Sequence, residues 1–450
     1  MKIEAGIIGV ALLSTTAYAQ QDSENIGSDI SKGAAQEATS SEIAEFRDTG
    51  NATAKAVAEA NGISVGEATR RLKIQRNAQR LERRLSERFP DSFGGIFFDE
   101  VNGKFTVFAG FAKAAPPSGQ MAALVNDPEL MANVETTPVK LSNRDETRFA
   151  ERMGSIFPEP IAVDYSIDKR SGVVSVFDDP GQAHKEQVET LAREFGLSVV
   201  YRPDLKPSPT AIMIGGGFWG GQSYLVGSTR EYPICTMGFA AFGDIDVRQA
   251  DGTYRTERKL GLTTAGHCAS GRASTSDPAT WQPNTPSEYN AYDRVYGDTG
   301  GIALDFDTRR NNQWSSGIDL QFQTHLTSDQ ISPHYWNGSQ SVPVLSRSAA
   351  PPSVGADVCK WGRTTKWDCG KVEAVSRRST DSVVWSFTMY SPSGADMAER
   401  GDSGGPVALG NEIIGWVYAE PATENKRGIA HPITLMYEKT SVRVAICTSC

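Results

Sequence analysis

The stretch RGDSGGP, at Arg400–Pro406, decides how this 450-residue sequence is interpreted. It surrounds one serine hydroxyl with glycines and places an acidic residue directly before it. A nucleophilic serine needs a backbone that turns sharply and brings N–H groups to the position where an oxyanion develops. We therefore expect Ser403 to be a nucleophile, with the N–H groups of Gly401 and Ser403 forming an oxyanion hole.

A serine nucleophile needs a general base, and TTAGHC, at Thr263–Cys268, offers a histidine in an equally distinctive setting. The GDSGGP and TAGHC motifs, in the order histidine then serine, together resemble those of the chymotrypsin-like serine endopeptidases. The resemblance implies His267 as the general base, a protein or peptide substrate, and no metal or cofactor. It also implies an all-β protease domain of two antiparallel six-stranded β-barrels, with the site in the cleft between them.

The acid of a catalytic triad holds the histidine tautomer and stabilises the imidazolium. Asp319 lies in SGIDLQF, at Ser316–Phe322, where a carboxylate among apolar strand residues needs a partner such as His267. The same run resembles the streptogrisin sequence around the triad acid. Asp319 is therefore the preferred acid, and Asp305 and Asp307 are left as alternatives.

Length, composition and charge bound the kind of protein. A chain of 450 residues predicts two or three domains, and 39% hydrophobic with 22% charged residues suits soluble domains with sizeable cores. The net charge of −9 argues against a nucleic-acid partner, which would require a basic face. No stretch beyond the N-terminal region has the roughly 18 apolar residues of a membrane helix. We therefore expect no membrane partner. We also expect the protein to be a monomer.

The N-terminus has the pattern of an export signal. Lys2 precedes an apolar run at Ala5–Leu13, and Ala17–Ala19 offers a small-x-small cleavage site. Residues 1–19 are therefore predicted to be a signal peptide, and residues 20–60, rich in Ser, Ala, Glu and Gln, a flexible lead-in. The protein would be secreted, either to the extracellular space or through the periplasm.

Residues 61–202 contain neither cysteine nor tryptophan and alternate between helix and hairpin signals. Ser64 begins a capping box before an amphipathic run, and the turn signal Asn102–Gly103 lies between two strand-like runs. A similar order follows, with Ser142 as a helix cap and a second hairpin around Ser171–Gly172. The pattern predicts an α+β domain made of two helix-plus-hairpin units.

The function of this α+β domain is inferred from a resemblance. Phe89–Ile96 and the hairpin after it resemble the pro-region of alpha-lytic protease and the streptogrisins. The resemblance implies that residues 61–202 are a pro-domain, which assists folding of the protease domain and inhibits it until cleavage. An unrelated N-terminal binding domain is the alternative.

A proline-rich segment separates this domain from the rest of the chain. Residues 203–210 carry three prolines, which predict an extended linker suited to proteolytic maturation. In residues 211–450, short β-type runs such as Leu260–Thr264 and Ile413–Val417 alternate with turn residues, and no long helical pattern interrupts them. These residues are predicted to form the all-β protease domain.

All the cysteines lie in the second half, and an even number in an exported chain predicts disulfides. They are Cys235, Cys268, Cys359, Cys369, Cys447 and Cys450. The resemblance implies that Cys268, next to the histidine, is bonded to Cys235. It also implies a bond between Cys359 and Cys369, because VCKWGRTTKWDCG resembles a disulfide loop of alpha-lytic protease. For the last two cysteines a small structural bridge is preferred over a redox or metal site.

Asp402 precedes the nucleophile, and in the family setting that carboxylate is buried, so it needs a paired cation. The resemblance to alpha-lytic protease implies an internal cation directly after the first cysteine of the disulfide loop, which here is Lys360. Lys360 is therefore expected to support Asp402 and the oxyanion hole. The alternative is the trypsin-like arrangement, in which a freed amino terminus such as that of Ile212–Gly216 makes the pair.

Two other classes of function are compatible with parts of the pattern. A protease fold without activity would serve as a binding module, but it would have no physical reason to keep all three catalytic groups. An esterase on another fold would need a nucleophile elbow and the order serine, acid, histidine, whereas here the histidine comes first. Side-chain specificity stays open, because Ala398 and Val417 favour an apolar pocket while nearby acidic residues would favour a basic side chain.

Overall fold

The residues described by this computed structural model belong to one compact unit, Asp48–Cys450. They are residues 52–125, 127–157, 163–203, 207–209, 212–213, 223–226, 233–236, 238–248, 253–269, 281–282, 303–305, 318–324, 333–337, 341–379, 383–421 and 426–447. The predicted signal peptide, 1–19, lies outside them, as does most of the predicted lead-in.

The first half of the described chain alternates helices and short strands. Its helices are α1 (52–61), α2 (Val65–Arg88), α3 (Ser118–Leu124), α4 (Pro128–Met131), α5 (Asn143–Ile156) and α6 (Gln182–Glu194). Its strands are β1 (Phe93–Val101), β2 (Lys104–Phe111), β3 (Val134–Pro138), β4 (Asp164–Asp168), β5 (Val173–Val176) and β6 (Ser198–Tyr201). The sequence predicts a flexible lead-in over residues 20–60, but residues 52–60 belong to helix α1. The reason is apolar packing, because Ala54 and Val57 of this helix are buried in the core. Within the described residues, no helix is long and apolar enough to cross a membrane.

Local sequence signals explain where several of these elements begin and turn. The Ser64 side chain accepts a hydrogen bond from the Glu67 N–H at 3.1 Å, and so caps α2 as the capping box predicts. Ser142 caps α5 by accepting from a backbone N–H in the first turn. Asn102 and Gly103 have φ angles of 52° and 74°. The β1–β2 hairpin therefore turns through two left-handed residues, for which Asn-Gly is the preferred pair.

The two predicted helix-plus-hairpin units share one topology. In each unit a long helix precedes an antiparallel hairpin, and further helical residues lead to a third strand. The third strand pairs parallel to the second in both units: β3 with β2, and β6 with β5. The internal repeat inferred from the pattern is therefore present in the backbone.

The second half is built almost wholly from strands. They are β7 (Pro207–Pro209), β8 (Ile212–Met213), β9 (Ser223–Val226), β10 (Pro233–Thr236), β11 (Ala240–Arg248), β12 (Tyr254–Thr264), β13 (Trp281–Gln282), β14 (Ala303–Asp305), β15 (Gln321–Thr324), β16 (His334–Trp336), β17 (Ser341–Pro343), β18 (Ser346–Arg347), β19 (Asp357–Gly362), β20 (Lys366–Arg378), β21 (Val384–Tyr390), β22 (Pro406–Leu409), β23 (Glu412–Pro421), β24 (Arg427–Pro432) and β25 (Arg443–Val444). A 3₁₀ turn (Gly266–Ala269) follows β12, and helix α7 (Ile433–Lys439) follows β24.

Six of these strands close into a barrel. Their order is β19-β22-β23-β24-β21-β20, and β20 pairs back onto β19. Val358, Phe387 and Ile414 are among the side chains buried in its core. The predicted all-β protease fold is confirmed for this barrel.

The strands around His267 form two further sheets. One has the order β14-β15-β12-β11-β25 and the other β13-β9-β10-β8. The pairings among the described residues do not join these sheets into a ring. The first of the two predicted barrels therefore stays a prediction.

The sheet of the closed barrel continues into the first half of the chain. The end of β20 pairs antiparallel with β4, so that Arg377 lies opposite Tyr165, and the order runs on through β5 and β6. The apolar core is shared as well, because Leu81 and Phe98 belong to the same buried cluster as Val358. The two halves defined by the sequence therefore pack as one body.

Candidate active site

A pair of strands brings His267 and Asp319 together. His267 lies in the 3₁₀ turn at the end of β12, and Asp319 lies just before β15, which pairs antiparallel with β12. The Asp319 carboxylate accepts a hydrogen bond from the His267 backbone N–H at 2.7 Å and contacts His267 Nδ1 at 2.7 Å through its other oxygen. Both side chains are buried. This arrangement fixes the orientation of the imidazole.

The alternatives to Asp319 do not share this position. Asp305 ends β14, which pairs with β15 on the side away from β12. Asp307 lies outside the described residues. Of the three candidate acids, Asp319 is the one whose carboxylate is described at His267.

Trp416 supports the acid in a way that the sequence did not predict. Its indole Nε1–H donates to the Asp319 carbonyl oxygen at 2.9 Å, and its side chain is fully buried in β23. Ninety-seven residues separate the two, so no local pattern could have indicated the contact. The bond ties the acid to the closed barrel.

The glycine-rich loop Arg400–Pro406, here called the nucleophile loop because it carries the predicted nucleophile, is held by backbone hydrogen bonds on both sides. The Ser403 carbonyl oxygen accepts from the Thr236 N–H at 2.7 Å. The Gly404 N–H donates to the Val417 carbonyl oxygen at 2.7 Å, and the Val417 N–H donates to the Gly405 carbonyl oxygen at 2.8 Å. Ser403 itself is buried. The loop is therefore anchored between β10 and β23.

Gly404 lets the nucleophile loop lie directly against the histidine loop. It has φ +91°, and a Cβ there would lie 2.2 Å from the Thr236 carbonyl oxygen and 2.3 Å from Thr264 Oγ1. The same atom would lie 2.9 Å from the backbone nitrogen of Ala265, two residues before His267. Real Cβ atoms do not come this close, so a glycine is required. The contact brings the loops of the predicted nucleophile and base together.

Asp402 is fully buried and accepts hydrogen bonds from several donors. Oδ1 accepts from the backbone N–H groups of Thr364 at 2.7 Å and Thr365 at 3.3 Å. Oδ2 accepts from the Thr365 hydroxyl at 2.5 Å and the Glu399 N–H at 3.1 Å. Lys360 Nζ lies 3.6 Å from Oδ2. The carboxylate is thus held chiefly by the turn between β19 and β20.

Lys360 lies beside Asp402, at the position where the resemblance to alpha-lytic protease implied a cation. Its side chain is completely buried, and burial lowers the pKa of its ammonium while the nearby Asp402 acts to raise it. The ammonium also donates to the Thr365 hydroxyl and to the Lys366 carbonyl oxygen. Lysine acts here as a compact charge shared among several acceptors, in contrast to the two-pronged contact that arginine would make.

Gly401, expected to contribute to the oxyanion hole, has φ +104°. Arg400, before it, offers its carbonyl oxygen to the Thr364 hydroxyl at 2.6 Å. The Gly401 carbonyl oxygen accepts from the buried Thr236 hydroxyl at 2.7 Å. The peptides on both sides of Gly401 are therefore fixed in orientation.

The cysteines are described only in part. Cys359 and Cys369 face each other in β19 and β20 and form a disulfide, as expected. Cys447 is also disulfide-bonded. The side chains of the other three cysteines lie outside the described part, so the Cys235–Cys268 pairing stays a prediction. Among the described residues, no group of three or more His, Cys, Asp or Glu side chains is arranged to hold a metal ion.

The closed barrel and the residues gathered at its edge define a serine protease domain of the chymotrypsin type. The family model described as Trypsin matches residues 256–439. This part of the chain is therefore a trypsin-family domain.

The chain is also similar to individual bacterial proteases. Serine protease 1 of Rarobacter faecitabidus is 23% identical over 397 residues, which cover 86% of this chain and 62% of that protein. The chain thus spans less than two thirds of this relative's length. The chymotrypsin of Cellulomonas bogoriensis is 23% identical, with 52% of this chain and 99% of that one covered and a TM-score of 0.31. The Nocardiopsis protease NAPase is 21% identical, covering 52% and 98%, with a TM-score of 0.31.

Proposed function

We propose that this chain is a secreted serine endopeptidase made as a preproenzyme, with Ser403, His267 and Asp319 as its catalytic triad. The observation that carries the proposal is the pair of 2.7 Å contacts between His267 and Asp319, beside the glycine-rich loop of Ser403. Secretion is proposed because residues 1–19 have the sequence pattern of an export signal.

In the proposed mechanism, Ser403 Oγ attacks the scissile carbonyl and His267 Nε2 takes its proton. Asp319 keeps the other proton on Nδ1 and stabilises the imidazolium. The N–H groups of Gly401 and Ser403 bind the oxyanion of the tetrahedral intermediate. Collapse expels the amine, which leaves with the proton from His267, and forms an acyl-enzyme. Water then gives a proton to His267 and attacks the ester carbonyl. The ester bond breaks, Ser403 Oγ takes the proton back from His267, and the acid product is released.

We propose that residues 61–202 are a pro-domain that docks by extending the sheet of the protease. Strand β4 adds to the edge of β20. Two neighbouring arginines of β20 contact acids of the first half: Arg377 Nε lies 3.0 Å from Glu146, and Arg378 Nε lies 2.9 Å from Asp164. Backbone pairing gives the docking its register, and the charge pairs give it specificity.

Helix α2 supplies a second contact between the halves. Gln75 Nε2 donates to Asp357 Oδ2 at 2.6 Å, and the Asp357 N–H donates to Gln75 Oε1 at 3.1 Å. Both residues are buried, so each would leave an unsatisfied polar group if the other were lost. This reciprocal pair supports a stable association before maturation.

The linker, residues 203–210, supports the proposal that the enzyme cuts itself. Strand β7 pairs antiparallel with the end of β23, with Pro209 opposite Ala419. Ala419 lies two residues after Val417, and Val417 is hydrogen-bonded to both glycines after Ser403. On the other side, Ile212 pairs with Ile234 in β10. We therefore propose that the maturation cut falls between Pro209 and Ile212.

The proposed activity is tested by expressing the full chain and treating it with a fluorophosphonate probe. We expect labelling of Ser403, hydrolysis of peptides from a library, and a new N-terminus within a few residues after Pro209. The matched control is Ser403→Ala, which should lose labelling and about 10⁶ in kcat. An unlabelled, inactive wild-type chain would instead favour a binding module.

The pro-domain is tested separately, with a protein of residues 209–450. We expect this protein to give little active enzyme alone and to recover activity when residues 20–208 are added in trans. Full activity of residues 209–450 on their own would reject the pro-domain but leave the protease proposal standing. Normal processing of Ser403→Ala in a protease-free system would reject self-cleavage.

A further inference from the structure

The peptide between Arg400 and Gly401 is held by a threonine outside the nucleophile loop. Thr364 Oγ1 donates to the Arg400 carbonyl oxygen at 2.6 Å, and the Thr364 backbone N–H donates to Asp402 Oδ1 at 2.7 Å. In a trans peptide the C=O and N–H bonds point in opposite directions. The Gly401 N–H therefore points away from Thr364.

A second threonine holds the next peptide. The buried Thr236 donates through its hydroxyl to the Gly401 carbonyl oxygen at 2.7 Å and through its N–H to the Ser403 carbonyl oxygen at 2.7 Å. Its hydroxyl also accepts from the Arg363 N–H at 3.0 Å, beside Thr364. The two threonines together hold three carbonyl groups of the nucleophile loop. The N–H groups of the other two held peptides, those of Asp402 and Gly404, donate to the Glu399 and Val417 carbonyl oxygens. The Gly401 N–H is the one of the three that is proposed to face the oxyanion.

Glycine makes this restraint necessary. Gly401 has φ +104°, and glycine adopts positive and negative φ about equally readily, so the backbone alone does not select one orientation of the 400–401 peptide. A flipped peptide would turn the Arg400 carbonyl oxygen toward the developing oxyanion and repel it. A Cβ on Gly401 would lie 2.7 Å from Thr364 Oγ1, so the close approach of the threonine also depends on this glycine.

We propose that Thr364 is a positioning residue for catalysis, which keeps the Gly401 N–H directed into the oxyanion hole. The proposal rests on the proposed function, because it assigns a role to the same nucleophile loop. Thr364 touches the loop and need not touch the substrate. Its hydroxyl acts on the step in which negative charge develops, and leaves substrate binding largely unchanged.

The test compares Thr364→Val and Thr364→Ser in the matured enzyme. The side chain of Thr364 is exposed, so neither change disturbs the core. For Thr364→Val we expect kcat to fall about three- to tenfold, as for the loss of one net hydrogen bond, with KM within about twofold of wild type. Thr364→Ser keeps the hydroxyl and should restore kcat. Thr440→Val is the matched control, because the Thr440 hydroxyl also donates to a backbone carbonyl, that of Met436, at the end of α7.

A peptide aldehyde gives a readout that a general loss of structure would not. It adds to the nucleophile and forms an oxyanion, so its inhibition constant for Thr364→Val should rise by the factor by which kcat/KM falls. Wild-type kcat in Thr364→Val, a change in KM alone, or failure of Thr364→Ser to restore kcat would each overturn the proposal. If the wild-type chain itself neither reacts with the fluorophosphonate probe nor hydrolyses peptides, the proposed function fails, and this inference fails with it.

Discussion

Replacing Lys360 by methionine tests how the buried Asp402 is held. The substitution removes an ammonium that is fully buried 3.6 Å from the carboxylate. Methionine is also a long, unbranched side chain, and it fills irregular core spaces without needing a polar partner. The change therefore removes charge from the site while it keeps most of the packing.

The expected loss follows from what remains around Asp402. Removing one partner of a buried ion pair typically costs about 3–5 kcal/mol. Here the carboxylate keeps the N–H groups of Thr364, Thr365 and Glu399 and the Thr365 hydroxyl. Burial lowers the pKa of Lys360, which means that burying its charge costs free energy, and the substitution removes this cost. We therefore expect a loss near the lower end, roughly 3 kcal/mol in the free energy of unfolding.

The assay measures stability and turnover on the same matured enzyme. Urea unfolding is followed on protein blocked at Ser403, so that self-digestion does not interfere, and kcat is measured on unblocked protein. Because Asp402 directly precedes Ser403, the proposed nucleophile, Lys360→Met should also lower kcat about tenfold, which corresponds to about 1.4 kcal/mol. Lys360→Arg should keep the charge and lose much less.

The competing explanation gives the opposite pattern. If a freed amino terminus held Asp402, extra residues added before the mature N-terminus would abolish activity and Lys360→Met would not. That result would refute the role of Lys360. Loss of activity in Lys360→Met, together with a harmless N-terminal extension, supports it.

Two further predictions concern the contact between the two halves. Gly355→Ala should weaken binding of residues 20–208 to the protease half far more than the control Gly410→Ala. Both glycines have positive φ, but of the two only Gly355 would place a Cβ against a neighbour, the Phe98 carbonyl oxygen at 2.0 Å. Equal effects of the two changes in a fluorescence titration of binding would contradict this prediction. Burial acts to raise the pKa of Glu146, but a lysine and an arginine outweigh it and lower the pKa from 4.5 to about 2. Above pH 4.5, the ionised Glu146 should therefore contribute up to about 3 kcal/mol to the free energy of unfolding. This contribution should be lost as pH falls through about 2. Urea unfolding of an inactivated precursor should show this acid-sensitive part in the wild type and not in Glu146→Gln; parallel pH profiles would argue against it.

Local chemistry made much of the fold predictable. Ser64, Ser142 and Asn102–Gly103 act through neighbours within three residues, so a helix cap or a hairpin turn can be recognised from the sequence alone. The candidate site could be proposed for a different reason. His267 and Ser403 each lie in a run with a distinctive composition, although they are 136 positions apart along the chain.

Contacts between distant segments that no motif marks were not predictable. β3 and β6 are short strands that pair in parallel, and parallel pairing has no turn signal to mark it. The bond from Trp416 to Asp319 and the addition of β4 to β20 depend on how whole elements pack. The donors around Asp402 also come largely from backbone N–H groups, which every residue carries and which no residue type reveals.

The junction between β20 and β4 has a consequence for the proposed mature enzyme. If the first half is removed by the proposed maturation, the end of β20 becomes the edge of a sheet. An exposed edge can recruit strands from other chains and start aggregation. Arg377 and Arg378 stand on that edge, and their acidic partners, Glu146 and Asp164, depart with the first half. Charged side chains are a common means of keeping sheet edges apart. The same two arginines that attract the first half in the precursor would thus protect the finished enzyme from self-association.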